Sequence, residues 1–188
     1  MPAAGYLLFL VLVGLERLAE LVISRRNQRA LGAQGVRKVP ERHFAAMVAV
    51  HTGVLVAAYM EVTLLARPWI PALAVAMGAV FVAATGLRLW VIGTMRTHWN
   101  VEVMASAPLG VVTHGPYRFV RHPNYLAVVL ELVAIPLIHG AWLTAIAATL
   151  ANAWVLAKRL EVEERVLLAD PAYRAAMGAK ARFVPGIF

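Results

Sequence analysis

Apolar residues fill three stretches of the chain almost without a break, at positions 3–23, 43–65 and 70–92. A helix rises about 1.5 Å per residue, so roughly 20 apolar residues cross a bilayer core of about 30 Å. Each stretch is therefore expected to form a membrane-crossing helix. The first does not read as a cleaved signal peptide. It lacks a basic start, and it carries Glu16, Arg17 and Glu20 where small cleavage-site residues would stand. A fourth apolar run, 125–156, would make a single helix of about 48 Å, more than the core needs. The turn-forming sequence IPLIHG interrupts it. A helical hairpin is expected there: one helix over 124–138, and a second from 141 to about 168 that crosses over 141–160. The pattern predicts an all-α integral membrane protein with five crossings, the last two forming the hairpin.

Charge orients this arrangement. The 24–42 loop carries Arg25, Arg26, Arg29, Arg37, Lys38 and Arg42. The 93–124 loop carries Arg96, Arg118 and Arg121, and the tail carries Lys158, Arg159, Arg165, Arg174, Lys180 and Arg182. With five crossings all three segments fall on one side, and the other side keeps only Arg67. Basic residues collect in the cytoplasm, so the N-terminus is expected outside and the C-terminus inside. The chain is 61% hydrophobic with a net charge of +8. Soluble domains average about 45–50% apolar, so the positive charge reads as topology and not as a nucleic-acid footprint. Cysteine is absent, which excludes disulfides, thiolate metal ligands and a cysteine nucleophile. With no linker or repeat, residues 1–188 read as one domain, with a loop at 94–123 and a C-terminal segment at 161–188.

One polar segment stands out. HGPYRFVRHPNY, from His114 to Tyr125, lies directly before the hairpin. The first hairpin helix is only about 22 Å long. If its outer end reaches the far interface, its inner end stops within the inner leaflet and carries this segment below the headgroups. Irregular backbone at that depth must be buried in protein or line a cavity. Pro123 suits the first turn of a helix, and a helix N-terminus attracts anionic groups. An ordinary cytoplasmic loop with anchoring arginines and tyrosines fits the same residues. In KRLEVEERVLL, Arg159 and Glu163 are four apart and share a helix face, with Glu164 about 100° round. Counted from residue 141, Arg159 lies about 27 Å and Glu163 about 33 Å along the helix, which brackets the level of Asn124. A solvated, amphipathic helix end is the plainer account of these residues.

GPYRFVRHPNY, a hydrophobic hairpin and RLEVEE, taken in order, resemble the isoprenylcysteine carboxyl methyltransferase family of integral membrane enzymes, over about residues 85–188. The front half, with ERLAELVISRRNQRALGAQG, HWNVEV and HPNYLAVVLELVAIPL, is similar to a bacterial branch that O-methylates alkylpyrones or alkylresorcinols made by type III polyketide synthases. The resemblance implies S-adenosylmethionine in a cytoplasmic pocket closed by loops and the C-terminal segment, in a bacterial inner membrane. It implies that Gly115, Pro116, Tyr117, His122, Pro123 and Tyr125 line the cofactor site with Arg121 beside them, and that Glu164 holds the cofactor's polar end. Arg159 and Glu163 would face the acceptor and the transferring methyl. The sequence departs from the family pattern at Leu109, where many prenylcysteine enzymes have a histidine, and at Ala127, where a glycine is usual. Both departures point away from a prenylcysteine acceptor.

Methyl transfer from a sulfonium is an in-line displacement that needs alignment and exclusion of water. No metal is expected. A phenol titrates near 10, so a ring hydroxyl gains from a base or a nearby cation. Arg159 can stabilise the developing oxyanion, and Glu163 can orient Arg159 or take the proton. His98, Trp99 and Asn100 are candidate acceptor contacts or interfacial anchors. Glu131 is expected to pair with Arg88 or to line the acceptor channel. Charges within a span invite a functional reading, yet Glu16 and Glu20 can equally pair with Arg17 or Arg88. His43, His51 and His139 have no metal-like spacing and read as interfacial or packed. Residues 97–110 are expected to form a short extended pair, and the terminal RFVPGIF to fold back over the pocket. The competing functions are prenylcysteine carboxyl methylation, phospholipid methylation, and a small membrane transporter or scaffold. A transporter would more often show inverted repeats and midplane helix breaks.

Overall fold

The computed structural model describes residues 3–105 and 110–186. Six α-helices run in chain order: α1 (Ala3–Gly32), α2 (Phe44–Leu64), α3 (Pro71–Met95), α4 (Pro123–Leu137), α5 (Trp142–Leu167) and α6 (Pro171–Met177). One minimal antiparallel pair joins β1 (Arg37–Lys38) to β2 (Met104–Ala105), with Arg37 opposite Ala105 and Lys38 opposite Met104. The extended pairing expected within 97–110 is thus made across the chain to the end of α1. Residues 106–109, including the departure at Leu109, lie outside the described residues.

The helices are inside out by the standard of a soluble protein. On α1, Leu8, Val11, Leu12, Leu15, Leu18 and Val22 face outward, while Glu20, Ser24 and Asn27 are buried. On α5, Leu143, Ile146, Leu150 and Trp154 face outward, while Thr144, Asn152, Arg159 and Glu164 are buried. Apolar surface turned out and ionisable groups turned in is the arrangement a lipid solvent favours. Among the described residues two helices are long and apolar enough to cross a membrane: α2, and α3 with its following turn, Pro71–His98. α4 is a shorter apolar helix. The charges in α1 and in the last third of α5 interrupt their apolar runs.

α1 does not stop at residue 23 as the hydrophobic pattern suggests. It continues to Gly32 because SRRNQRAL is rich in good helix formers, and because two buried polar side chains tie this extension to the segment after α3. Asn27 Nδ2 donates to the carbonyls of Arg96 and Trp99 at 3.0 and 2.7 Å, and Val101 N donates to Ser24 Oγ at 3.0 Å. Several basic residues assigned to a loop therefore lie on the last turns of α1.

The hairpin forms as the IPLIHG break predicts. Its apex needs glycine: Gly140 has φ +72°, and a Cβ there would stand 3.2 Å from the Pro68 carbonyl oxygen. Ala141 cannot cap α5, so Glu61 of α2 does it. Its carboxylate accepts from Leu143 N, Thr144 N and Thr144 Oγ1 at 3.1, 2.7 and 2.8 Å, and from Arg67 Nε at 2.9 Å. Next to this clamp, Tyr6 donates to the Ile135 carbonyl at 3.0 Å and its ring packs on His139. His43 packs edge-on against Trp154. Midway along the helices, Arg17 pairs with Glu20 and Glu131 at 3.0 and 2.9 Å, and Arg88 Nε donates to Glu131 at 3.1 Å. The charges within α1, α3 and α4 thus pair with one another, which locks these helices together.

Candidate functional site

The polar segment before α4 is fixed by its glycine and by the tail. Gly115 begins a 3-10 turn (Gly115–Arg118) with φ +59°, and a Cβ there would lie 2.4 Å from Thr94 Oγ1. Tyr117 Oη donates to Met95 Sδ at 2.8 Å, which pins the turn to the end of α3. Pro123 opens α4, where its missing N–H costs nothing. The tail runs alongside: Arg121 N and His122 N donate to the carbonyls of Ala181 and Arg182, each at 2.9 Å, and Lys180 Nζ donates to the Tyr117 carbonyl at 2.7 Å. The C-terminal segment therefore folds back onto the motif loop through residue 182, with Phe183 against the His122 ring.

Glu164 anchors this strap. Its carboxylate accepts from Arg182 Nη2 at 2.7 Å and from His122 Nε2 at 3.2 Å, and forms an ion pair with Arg121 Nη2 at 3.1 Å. Burial alone would raise its pKa. The hydrogen bonds from Arg182 and His122, with the charge of Arg121, outweigh that and hold it below the ordinary carboxylate range. Burial first, then the negative charge of Glu163, push the phenols of Tyr117 and Tyr173 upward, so both stay protonated near neutrality.

A second cluster lies one turn away on α5. Arg159 Nε donates to Tyr125 Oη at 2.8 Å, and Tyr125 Oη donates to Glu163 Oε2. Arg159 also donates to the Val101 carbonyl, touches Met47 Sδ, and has Glu41 Oε2 3.7 Å away. The Tyr125 ring stacks on His122 with centroids 5.4 Å apart. The shared face of Arg159 and Glu163 is thus real, and a tyrosine from the facing helix bridges it.

Two cavities meet at this cluster. The larger, about 430 Å³, runs among α1, α2, α4 and α5 and is lined mostly by apolar side chains. The smaller, about 150 Å³, is lined by Met95, Tyr117, Arg121, His122, Glu163 and Tyr173 among others. Trp99, Asn100, Asn124, Tyr125 and Arg159 line both. Polar atoms are in surplus here: Trp99 Nε1, Asn100 Oδ1 and Asn124 Oδ1 at the junction, and Arg121 Nε in the smaller cavity, are buried with no hydrogen-bond partner among the described residues. Buried polar atoms are ordinarily paired, so this surplus marks a place for a ligand.

Residues 72–169, more than half of the chain, match the isoprenylcysteine carboxyl methyltransferase (ICMT) family. The chain belongs to this family. The ICMT family is one of membrane methyltransferases, which use S-adenosylmethionine. Two bacterial relatives span most of the chain. The uncharacterized protein YpbQ of Bacillus subtilis is 28% identical over 166 residues, covering 86% of this chain and 95% of its own. An uncharacterized protein of Haemophilus influenzae is 25% identical over 152 residues, covering 80% and 88%.

Within the ICMT match, the candidate residues fall into three groups. Tyr117, Arg121, His122, Tyr125, Arg159 and Glu163 line the smaller cavity, with His98, Trp99 and Asn100 opposite. Gly115, Pro116 and Pro123 shape the backbone that carries them. Glu164 and Glu131 stand apart. Glu164 points away from the smaller cavity, because consecutive helical residues diverge by about 100°, and its carboxylate serves the arginines and His122. Glu131 is committed to Arg17 and Arg88, and it borders a void of only about 10 Å³. Sequence reasoning passed over Glu41, Asn124, Tyr173 and Arg182. Asn124 stood inside the quoted motif and was a legible polar candidate. Glu41, Tyr173 and Arg182 reach the site through loops whose path no periodicity encodes.

Proposed function

We propose that this protein is an S-adenosylmethionine-dependent O-methyltransferase whose acceptor is a lipophilic phenol or enol, the ring hydroxyl of an alkylpyrone or alkylresorcinol. The observation that carries the reading is the pair of cavities joined at Arg159 and Tyr125, one small and polar, the other long and apolar. Donor and acceptor need such a pair of sites, facing each other across the reacting atoms.

The smaller cavity fits the cofactor's chemistry. The unpartnered Trp99 Nε1, Asn100 Oδ1 and Asn124 Oδ1 can serve its adenine, hydroxyl and ammonium groups, and the aromatic rings of Tyr117 and Tyr173 suit a cation. When bound there, S-adenosylmethionine supplies a methyl group activated by a sulfonium. Arg159 sits at the junction, where its guanidinium holds the acceptor oxygen and stabilises its negative charge. A ring hydroxyl must give up one proton as its oxygen is methylated. Tyr125 connects that position to the Glu163 carboxylate, which receives the proton. Glu164 acts behind the cavity: it fixes Arg121, His122 and Arg182, and so holds the strap that excludes water. The apolar cavity takes the alkyl chain, which partitions from lipid and reaches the site sideways.

In this reading α1–α5 cross the bilayer five times, in a bacterial inner membrane, with the N-terminus outside and the site on the cytoplasmic face. The basic residues of 24–42, 93–124 and the tail support that side. The test is calorimetry in nanodiscs. S-adenosylmethionine should bind in the micromolar range without added metal, and Arg159→Ala should leave that affinity within threefold while abolishing methylation of an alkylresorcinol. Failure to bind the cofactor in both detergent and lipid would remove the methyltransferase reading.

A further inference from the structure

The larger cavity contains a polar group that the chemistry above does not use. Asn152 lies on α5 seven residues before Arg159, about 10 Å along the helix and on nearly the same face. It is only 5% exposed and stands between two hollows, this cavity and a groove of about 670 Å³ on the neighbouring face of α5. No hydrogen bond to its side-chain amide is formed among the described residues. The lining beside it is apolar: Val128, Val155 and Leu156 belong to the same cavity wall. A bare carboxamide in the apolar part of a membrane helix is costly. Neighbouring helices usually satisfy such a group, and here they do not. Across the cavity α2 presents His51 and Thr52. The His51 Nδ1–H donates to the Met47 carbonyl at 2.8 Å, which leaves Nε2 as an acceptor. The cavity therefore carries a polar collar above the reaction centre, toward the hairpin apex. It offers the amide's donors and acceptor on one wall and an acceptor and a hydroxyl on the other.

We propose that Asn152, with His51 and Thr52, is a specificity-determining site for a second hydrogen-bonding group on the acceptor, about 10 Å from the oxygen that takes the methyl. This deepens the proposed function and rests on it for the identity of the reacting oxygen. The preferred acceptor is then a phenolic or enolic lipid whose chain carries a hydroxyl or keto group, and not a plain hydrocarbon tail. A purely alkyl chain in this cavity would leave the amide unpaired, at the cost of burying it.

The experiment compares two resorcinols of equal chain length, one with a plain chain and one with a keto group placed along it. Binding to the protein in nanodiscs is read by tryptophan fluorescence, since Trp99 lines the same cavity, and turnover is read separately with labelled S-adenosylmethionine. The keto lipid should bind the wild type at least fivefold more tightly, the scale of one hydrogen bond to a buried amide. Asn152→Leu should erase that preference: the keto lipid's Kd and KM should rise to those of the plain lipid, which should bind at least as tightly as it does to the wild type because the unpaired amide is gone. Equal binding of both lipids by the wild type would overturn the proposal and leave Asn152 as a water site. Asn152→Leu weakening both lipids alike would overturn it in favour of packing. If the binding preference appears but neither lipid is methylated, the collar stands and the proposed reaction fails.

Discussion

Tyr125→Phe isolates one oxygen at the centre of the site. The phenylalanine keeps the ring and its 5.4 Å stack on His122. It deletes the hydroxyl that accepts from Arg159 Nε at 2.8 Å and donates to Glu163. Both lost bonds involve ionised partners, and such bonds contribute roughly 1.5–3 kcal/mol each. Arg159 retains the Val101 carbonyl and Glu41, so the guanidinium stays in place but loses its link to Glu163. If one bond's share of alignment is missing in the transition state, kcat/KM should fall about 10- to 150-fold. Cofactor affinity should change by less than threefold, because the hydroxyl faces the junction. The assay is initial-rate transfer of labelled methyl to an alkylresorcinol, paired with calorimetry for S-adenosylmethionine. Activity within twofold of wild type would show that the Arg159–Tyr125–Glu163 chain takes no part in the reaction. A loss wholly in cofactor affinity would assign Tyr125 to the donor side instead.

Gly115→Ala should destabilise the motif turn by roughly 1–2 kcal/mol from backbone strain alone, with further loss from the contact on Thr94, read as a lower melting temperature and weaker cofactor binding. Glu61→Ala removes the cap of α5 and leaves Arg67 without its carboxylate; a loss of about 2–4 kcal/mol is expected in unfolding from detergent, with the cofactor Kd of the folded fraction unchanged. Glu164 has its folded pKa depressed, so the stability it contributes is complete above its unfolded pKa near 4.3 and is lost as pH falls through the lower folded value. Melting temperature should therefore drop below about pH 4 in the wild type, and Glu164→Gln should be less stable at pH 7 with a smaller acid-induced change.

Long apolar runs and their breaks were legible because a bilayer demands them: the hairpin, its IPLIHG apex and the start of α4 at Pro123 all follow from that demand. The pairing of Arg159 and Glu163 was legible from i,i+4 geometry. The end of α1 was not, because its polar extension is held by Ser24 and Asn27 contacts with residues more than 60 positions away. Glu164 was assigned to the cofactor's polar end by the family resemblance and not by any local pattern. In the structure its carboxylate is engaged by Arg121, His122 and Arg182. Arg182 sits in a tail without periodicity, so no local pattern announces the partner that holds Glu164. Glu131 had two readings from its sequence position, and its ion pairs with Arg17 and Arg88 follow from helix packing that only the three-dimensional arrangement contains.

The central claim is methyl transfer to a ring oxygen of a lipophilic acceptor. Purified protein in liposomes, supplied with labelled S-adenosylmethionine and presented in parallel with an alkylpyrone, an alkylresorcinol and a farnesylcysteine analogue, tests it most directly. Label should appear in the methyl ether of the pyrone or resorcinol and vanish with Arg159→Ala. Efficient esterification of the farnesylcysteine analogue, with both phenolic lipids unlabelled, would contradict it.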